Sequence, residues 1–249
     1  MVRIVLIVFI LLISHLSFSQ IGSTPNLRAG MLGYWKLEES SGTTVIDWTG
    51  STNMTNVQAT INQTGLINKC YLFGAGDYLH TPTGQTQFDT GGQHSISVWF
   101  KTGTAQSSRG LVVYGSTTYS TMLYMSGSST NLNFYVRLVT TGVVSIQEAS
   151  LTLDDNNWHH IVGTFDKTGT NNLKLYFDGE LVESTTSSSE NMTAPSTKQV
   201  KVAQWDGNLN SFLGHIDEVM YYNRSLGAIE VKQLYNSSTQ LLLVSLTHE

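Results

Sequence analysis

The residues of this chain that could do chemistry are its clustered acids, one histidine pair and a set of aromatics that end or interrupt polar runs. Hydrolysis by paired carboxylates requires two acids facing one cleft. Asp178-Gly179-Glu180 with Glu183 is the densest such stretch, but a glycine turn divides it. Asp154-Asp155 lies in a loop-forming run before Trp158, where aspartate serves turns. No Ser, His and Asp stand in a local context that marks a nucleophile and its base. His159 and His160 are adjacent, and adjacent residues of a regular strand point to opposite faces, so they cannot share one ion there. Gly74-Ala75-Gly76-Asp77 has the glycines of a phosphate loop but is not followed by a helix. These observations assign no catalytic residue.

Sugar recognition is a different requirement. It needs an aromatic face on which a ring's C–H surface can stack, beside polar groups that orient hydroxyls. Trp205 meets it best, because it ends a strand just before the polar turn that holds Asp206 and Asn208. Tyr119, Tyr124 and Tyr135 fall on neighbouring strands and could line the same face. For each tyrosine the plainer alternative is a half-buried sheet residue with its hydroxyl in water.

The elements that must position these residues are strands. His159–Phe165 alternates with period two, and Leu173, Leu175 and Phe177 share one face of the next strand. Asp178-Gly179 is a two-residue hairpin signal, since a type I′ turn requires positive φ at both central positions. His94–Lys101 alternates as well, with Ile96, Val98 and Phe100 inward. Short strands follow at 110–115, 120–126, 131–138 and 143–149, separated by Gly- and Thr-rich turns in the manner of a sandwich or barrel. Further strands are expected at 33–37, 65–73, 78–81, 199–205 and 212–223. Leu226, Ile229 and Leu234 have helical spacing within a short helix at 226–235, and Leu241–Leu246 reads as an edge strand or tail.

Charged residues make up only 12% of the chain against 40% hydrophobic, so apolar burial must dominate its folding. Residues 1–19 read as a secretory signal: Arg3, an apolar core at Ile4–Ile13, and Ser17-Phe18-Ser19 as a small-x-small cleavage site. Removing it makes the formal net charge of −5 one unit more negative. An acidic chain lacks the basic footprint that a phosphate backbone demands, which argues against nucleic acid as a partner. No membrane span is expected in the mature form. Cys70 is the sole cysteine, lies in an apolar strand, and reads as a small buried hydrophobe.

Four stretches together resemble a known family. They are Gly33-Tyr34-Trp35-Lys36-Leu37 with the acidic loop and Val45–Gly50 that follow, and His94–Lys101. The others are Trp158-His159-His160 with Asp166 and Leu175–Gly179, and Gly214–Val219 continuing into Tyr221–Leu226. The pattern is similar to the laminin-G-like, concanavalin-A-like jelly-roll domains. The resemblance implies an all-β, two-sheet antiparallel jelly-roll sandwich with a short C-terminal helix. Residues 20–30 would be a lead-in, 31–236 the domain and 237–249 a tail or edge strand. Trp35, Trp99 and Trp158 would be core. Glucanases of this sandwich use a Glu-x-Asp-x-x-Glu strand, from which Tyr176 and the Asp178-Gly179 turn depart. The resemblance also suggests structural Ca2+ held by Asp47, the carbonyl of Gly50, Asn53 and Asp217. The alternative is that Asp47 is a turn residue and Asp217 an acceptor for loop amides. The implied function is a secreted, non-catalytic module that binds an extracellular glycan or glycosylated surface. A structural or adhesive domain of a surface or virion assembly is the rival.

Overall fold

The computed structural model describes residues 25–115, 119–170, 172–205 and 211–246, with side chains described as far as residue 239. The expected signal at 1–19 lies outside these residues. The first half of the chain forms β1 (Met31–Trp35), β2 (Thr44–Val45), β3 (Met54–Val57), β4 (Thr60–Thr64), β5 (Lys69–Phe73), β6 (Tyr78–His80), β7 (Gln93–Lys101) and β8 (Arg109–Tyr114). The second half adds β9 (Thr121–Ser126), β10 (Asn131–Leu138), β11 (Gly142–Glu148), β12 (Trp158–Asp166), β13 (Leu173–Phe177), β14 (Glu180–Thr185), β15 (Val200–Val202), β16 (Gly214–Tyr222) and the helix α1 (Ala228–Leu246).

Two eight-stranded antiparallel sheets result. One runs β14-β13-β12-β7-β16-β5-β4, with β1 also paired to β16; the other runs β11-β10-β9-β8-β15-β6-β3-β2. This is the expected jelly-roll sandwich. Half of its strand pairings join consecutive strands and half join strands that are not consecutive, as where β7 sits between β12 and β16. The Asp178-Gly179 turn has φ of 48° and 81° at its two positions, as the hairpin requires.

The core lies between the sheets. Ile96, Val98, Phe100, Leu173 and Leu175 are fully buried there, as the alternation predicts. Phe177 is only partly buried, because it is the last residue of β13 before the turn and packs at the end of the sandwich against His159, ring centroids 4.9 Å apart. Trp158 is likewise half-buried rather than core. It opens β12, where its ring meets His215 edge-on at 6.3 Å and the Lys101 ammonium at 5.9 Å. Trp35 and Trp99 are buried, but Trp99 lies on the outer face of its sheet, stacked between His160 at 4.8 Å and Tyr235 at 5.4 Å.

The helix differs from its expected extent and phase. It continues through Leu241–Leu246, which is therefore helical and not an edge strand. Val231 and Leu234 face the sheet, whereas Ile229 is 71% exposed. Glu230 accepts from the Gly227 amide at 2.9 Å and pairs with Arg224 at 2.7 Å, which fixes the helix start and turns Ile229 to solvent. Of the expected strand at 65–73 only β5 forms; residues 65–68 are the turn that joins it to β4, with Asn68 at positive φ, and β3 and β4 are added strands.

One contact sets the sheet spacing. The Phe134 ring from β10 lies on the backbone of Gly163 in β12, where an added Cβ would come within 2.4 Å of the ring. The same ring meets His94 at 5.7 Å. Gly163→Ala must push Phe134 out of its rotamer or the sheets apart, so it is expected to cost about 1–3 kcal/mol in denaturant unfolding. An unchanged unfolding midpoint would mean the sheets do not meet here.

Candidate functional site

The aromatic face anticipated around Trp205 exists. On the sheet without the helix, alternate residues of β8, β9 and β10 point away from the core. Pairing of Val113 with Met122 and of Met122 with Tyr135 puts these three side by side. Tyr119, Tyr124 and Trp205 pack over them. Trp205 meets Tyr124 at a centroid distance of 5.0 Å and Tyr119 nearly edge-on at 6.4 Å. Gly110 permits this placement: its missing Cβ would lie 3.0 Å from both the backbone nitrogen and the Cβ of Trp205. The result is a shelf of half-buried rings rather than a row of free ones, and Tyr135 is only 8% exposed.

Polar groups flank the shelf. The Arg137 guanidinium lies 5.9 Å from the Tyr135 ring and donates through Nε to the Tyr119 carbonyl at 3.1 Å. Asn133 pairs with Tyr124 across the strands and donates to the Ser126 hydroxyl at 2.9 Å. Burial, and secondarily Tyr135, raises the Tyr124 phenol above its ordinary value; burial also raises Tyr135 against the opposing pull of Arg137. Both phenols therefore stay protonated and can donate. Among the described residues the shelf is built of aromatic and apolar side chains, with no carboxylate and no histidine packed into it. Asp206 and Asn208 lie outside the described residues.

Of the residues suggested for calcium, the side chains of Asp47, Asn53 and Asp217 accept from backbone amides. Asp47 Oδ1 accepts from the amides of Tyr34 and Thr49, and its Oδ2 from the Thr52 amide and the Thr49 hydroxyl, all at 2.8–2.9 Å. A carboxylate has about four acceptor sites, and all are taken. Asn53 Oδ1 accepts from the Asp47 amide at 2.9 Å, and the Gly50 amide closes a turn onto the Asp47 carbonyl. Asp217 accepts instead from the amides of Leu66, Ile67 and Glu218. The two carboxylates share no donor, and among the described residues no three His, Cys, Asp or Glu side chains group as metal ligands. A shared cation would have to displace this set, so the donors fit amide caps and do not fit a calcium site in this arrangement.

The histidine pair is held by neighbouring polar groups. His160 is buried on the outer face, 2.8 Å from the Ser97 hydroxyl, and burial lowers its pKa to about 3. His159 points the other way, within 2.9 Å of Asp178 and 3.2 Å of Asp155. Burial pulls its pKa down, but the two carboxylates more than offset this and leave it raised. Asp178 also accepts from the His160 amide, and Glu180 pairs with Lys232 at the surface.

Two features escaped the sequence. Glu218 is 2% exposed, sits at φ 51°, and accepts from the Tyr34 hydroxyl, while its Oε1 has no partner. Burial raises its pKa to about 7, against the pull of Tyr34 and Lys36. Beside it, on the outer face of the helix-bearing sheet, a cavity of about 720 Å3 opens between β1, the Trp48 turn and α1. Trp48, in the turn sequence Asp47-Trp48-Thr49-Gly50, is 60% exposed; an aromatic within such a turn was the available signal.

Comparison with known proteins follows the architecture. Residues 73–232 match the family model for the concanavalin A-like lectin/glucanases superfamily. No curated protein matches the sequence. Solved structures match at the level of fold. The botulinum neurotoxin serotype G binding domain aligns with TM-score 0.64 and 14% identity over 83% of this chain and 51% of its own. The receptor binding domain of botulinum neurotoxin D aligns with 0.64 and 14% over 85% and 53%. A structure of botulinum neurotoxin type C, which depends on interaction with two ganglioside molecules to enter cells, aligns with 0.65 and 13% over 87% and 53%. The chain thus spans about half the length of these structures.

Two outcomes are expected from the site geometry. Glu218 has a folded pKa raised from 4.5 to about 7, so its stabilising neutral form is complete below pH 4.5 and lost as pH rises through 7. Glu218→Gln should therefore gain stability relative to the wild type between pH 4.5 and 8, approaching about 3 kcal/mol in urea unfolding; a pH-independent difference would mean that Glu218 ionises freely. Asp47→Ala should cost about 1–3 kcal/mol by orphaning amides, with the same melting temperature for the wild type with and without EDTA. A chelator-induced drop that Asp47→Ala abolishes would instead establish a bound cation.

Proposed function

The chain belongs to the concanavalin A-like lectin/glucanases superfamily, and from that premise we propose that it is a non-catalytic carbohydrate- or glycoconjugate-binding module acting outside the cell. The observation that carries this reading is the shelf of Trp205, Tyr124, Tyr119 and Tyr135 on one sheet face. The partly exposed rings of Trp205, Tyr124 and Tyr119, packed tilted and edge-on, offer apolar surface to sugar C–H groups, while Arg137 on the same face offers a polar contact at its margin. The carboxylates that a hydrolytic strand would need are committed elsewhere, Asp178 to the histidine pair and Glu180 to Lys232. Export is supported by the signal pattern of residues 1–19. Among the described residues no helix is long and apolar enough to cross a membrane.

A glycan array on the purified protein, followed by calorimetric titration of the best ligand, tests the proposal. Trp205→Ala and Tyr124→Ala should each weaken binding about tenfold or more, as truncating a central aromatic contact does, while the fold melts cooperatively. Wild-type protein that binds no glycan, or binds it equally well without Trp205, would leave the adhesive, pocket-free reading in its place.

A further inference from the structure

We propose that the cavity between β1, the Trp48 turn and α1 binds a small amphipathic organic anion, a carboxylate carried on an aliphatic or aromatic body. This site lies on the opposite sheet from the aromatic shelf and goes beyond carbohydrate recognition. Its volume of about 720 Å3 suits a small molecule.

The lining decides the class of ligand. Leu27, Met31, Met220 and Leu234 form its apolar part, continuous with the cluster under the helix. Polar capacity is scarce. The Tyr34 hydroxyl is donated to Glu218, and the Thr49 hydroxyl to Asp47 at 2.8 Å. A sugar placed here would leave several hydroxyls without partners, which is costly in a partly dry site. An apolar body has no such requirement.

Charge supplies the rest. Lys36 and Arg28 both line the cavity, and neither side chain has an ion-pair or hydrogen-bonded acid among the described residues. By contrast Lys198, Arg224 and Lys232 are each paired. The Lys36 ammonium is held 4.0 Å from the Trp48 ring centre and 5.7 Å from that of Tyr34, so it is positioned by two aromatic faces. Glu218, the acid whose charge Lys36 favours, is turned to Tyr34 and kept partly neutral by burial. Two cations beside an apolar wall, with a half-exposed tryptophan at the mouth, match a ligand with one anionic head and a greasy body.

Calorimetry on the whole chain with three probes tests this: decanoate below its micelle concentration, decanol, and glucuronate. Decanoate should bind one to one and at least tenfold more tightly than decanol, and glucuronate should show no heat of binding. Lys36→Met and Arg28→Met should each weaken decanoate about tenfold and leave decanol unchanged; Trp48→Ala should weaken both; Trp205→Ala should change neither. The proposal is overturned if decanol equals decanoate, if glucuronate binds as well, if no probe binds, or if well-folded Met variants retain full affinity. The probe comparison on wild type needs no variant to fold, and glycan binding at the Trp205 shelf succeeds or fails independently of it.

Discussion

The fold turns on a change of partner in the middle of β16. On one side this strand pairs along its length with β7; on the other, β5 pairs with Gly214–Ile216 and β1 with Val219–Tyr222. The register shifts between Asp217 and Met220, and Glu218 adopts positive φ in the gap. A strand that loses one neighbour before gaining the next leaves amides and carbonyls of adjacent loops unpaired in a buried place, which is expensive. The two acids fill that gap. Asp217 takes the amides of the β4–β5 turn, and Glu218 takes the Tyr34 hydroxyl from β1. Burial raises the pKa of both, and the charge of Glu218 adds to the rise at Asp217. The bulge that brings in β1 also places Tyr34 and Met220 in the wall of the cavity.

Stability without cross-links follows from the same logic. Cys70 is the one cysteine and is buried, its thiol donating to the Thr64 carbonyl at 3.3 Å and pushed up to about 12 by burial and the charge of Asp217. It behaves as core. What holds the sheets is the interdigitation of rings such as Phe88, Phe134 and Tyr221 around His94 and Trp35. His94 is buried neutral among them, its pKa lowered by burial to about 3. Both outer faces are then available for other uses. On one, α1 packs over Val162, Tyr176 and Met220 beside the cavity; the other carries the aromatic shelf.

Much of this was legible in the residues. Period-two alternation in His94–Lys101 and His159–Phe165, with Asp178-Gly179 as a hairpin, determines strands and the side each residue takes, because a pleated chain alternates faces whatever its neighbours are. The local composition of turns marks most strand ends for the same reason. Sequence order alone could not say that Trp205 would meet Tyr119 and Tyr124, since that contact depends on β15 lying next to β8. The resemblance to the jelly-roll family supplied the architecture. The residues supplied the shelf's members.

Tertiary structure alone decided how each polar group is used. Asp47 and Asp217 carry the same side chain that a calcium ligand carries, and only the amides arranged around them turn each into a cap. Ile229 has core chemistry and helical spacing, yet the anchoring of Glu230 to Gly227 and Arg224 rotates it to solvent. Lys36 and Arg28 are unremarkable in sequence, separated by eight positions, and become a pair of cations at one cavity because β1 docks against β16 and α1 closes the side. A sequence determines periodicity and turn chemistry because both are local. Which groups face one another across a sheet edge depends on pairings between distant segments, and those exist only once the two sheets have closed.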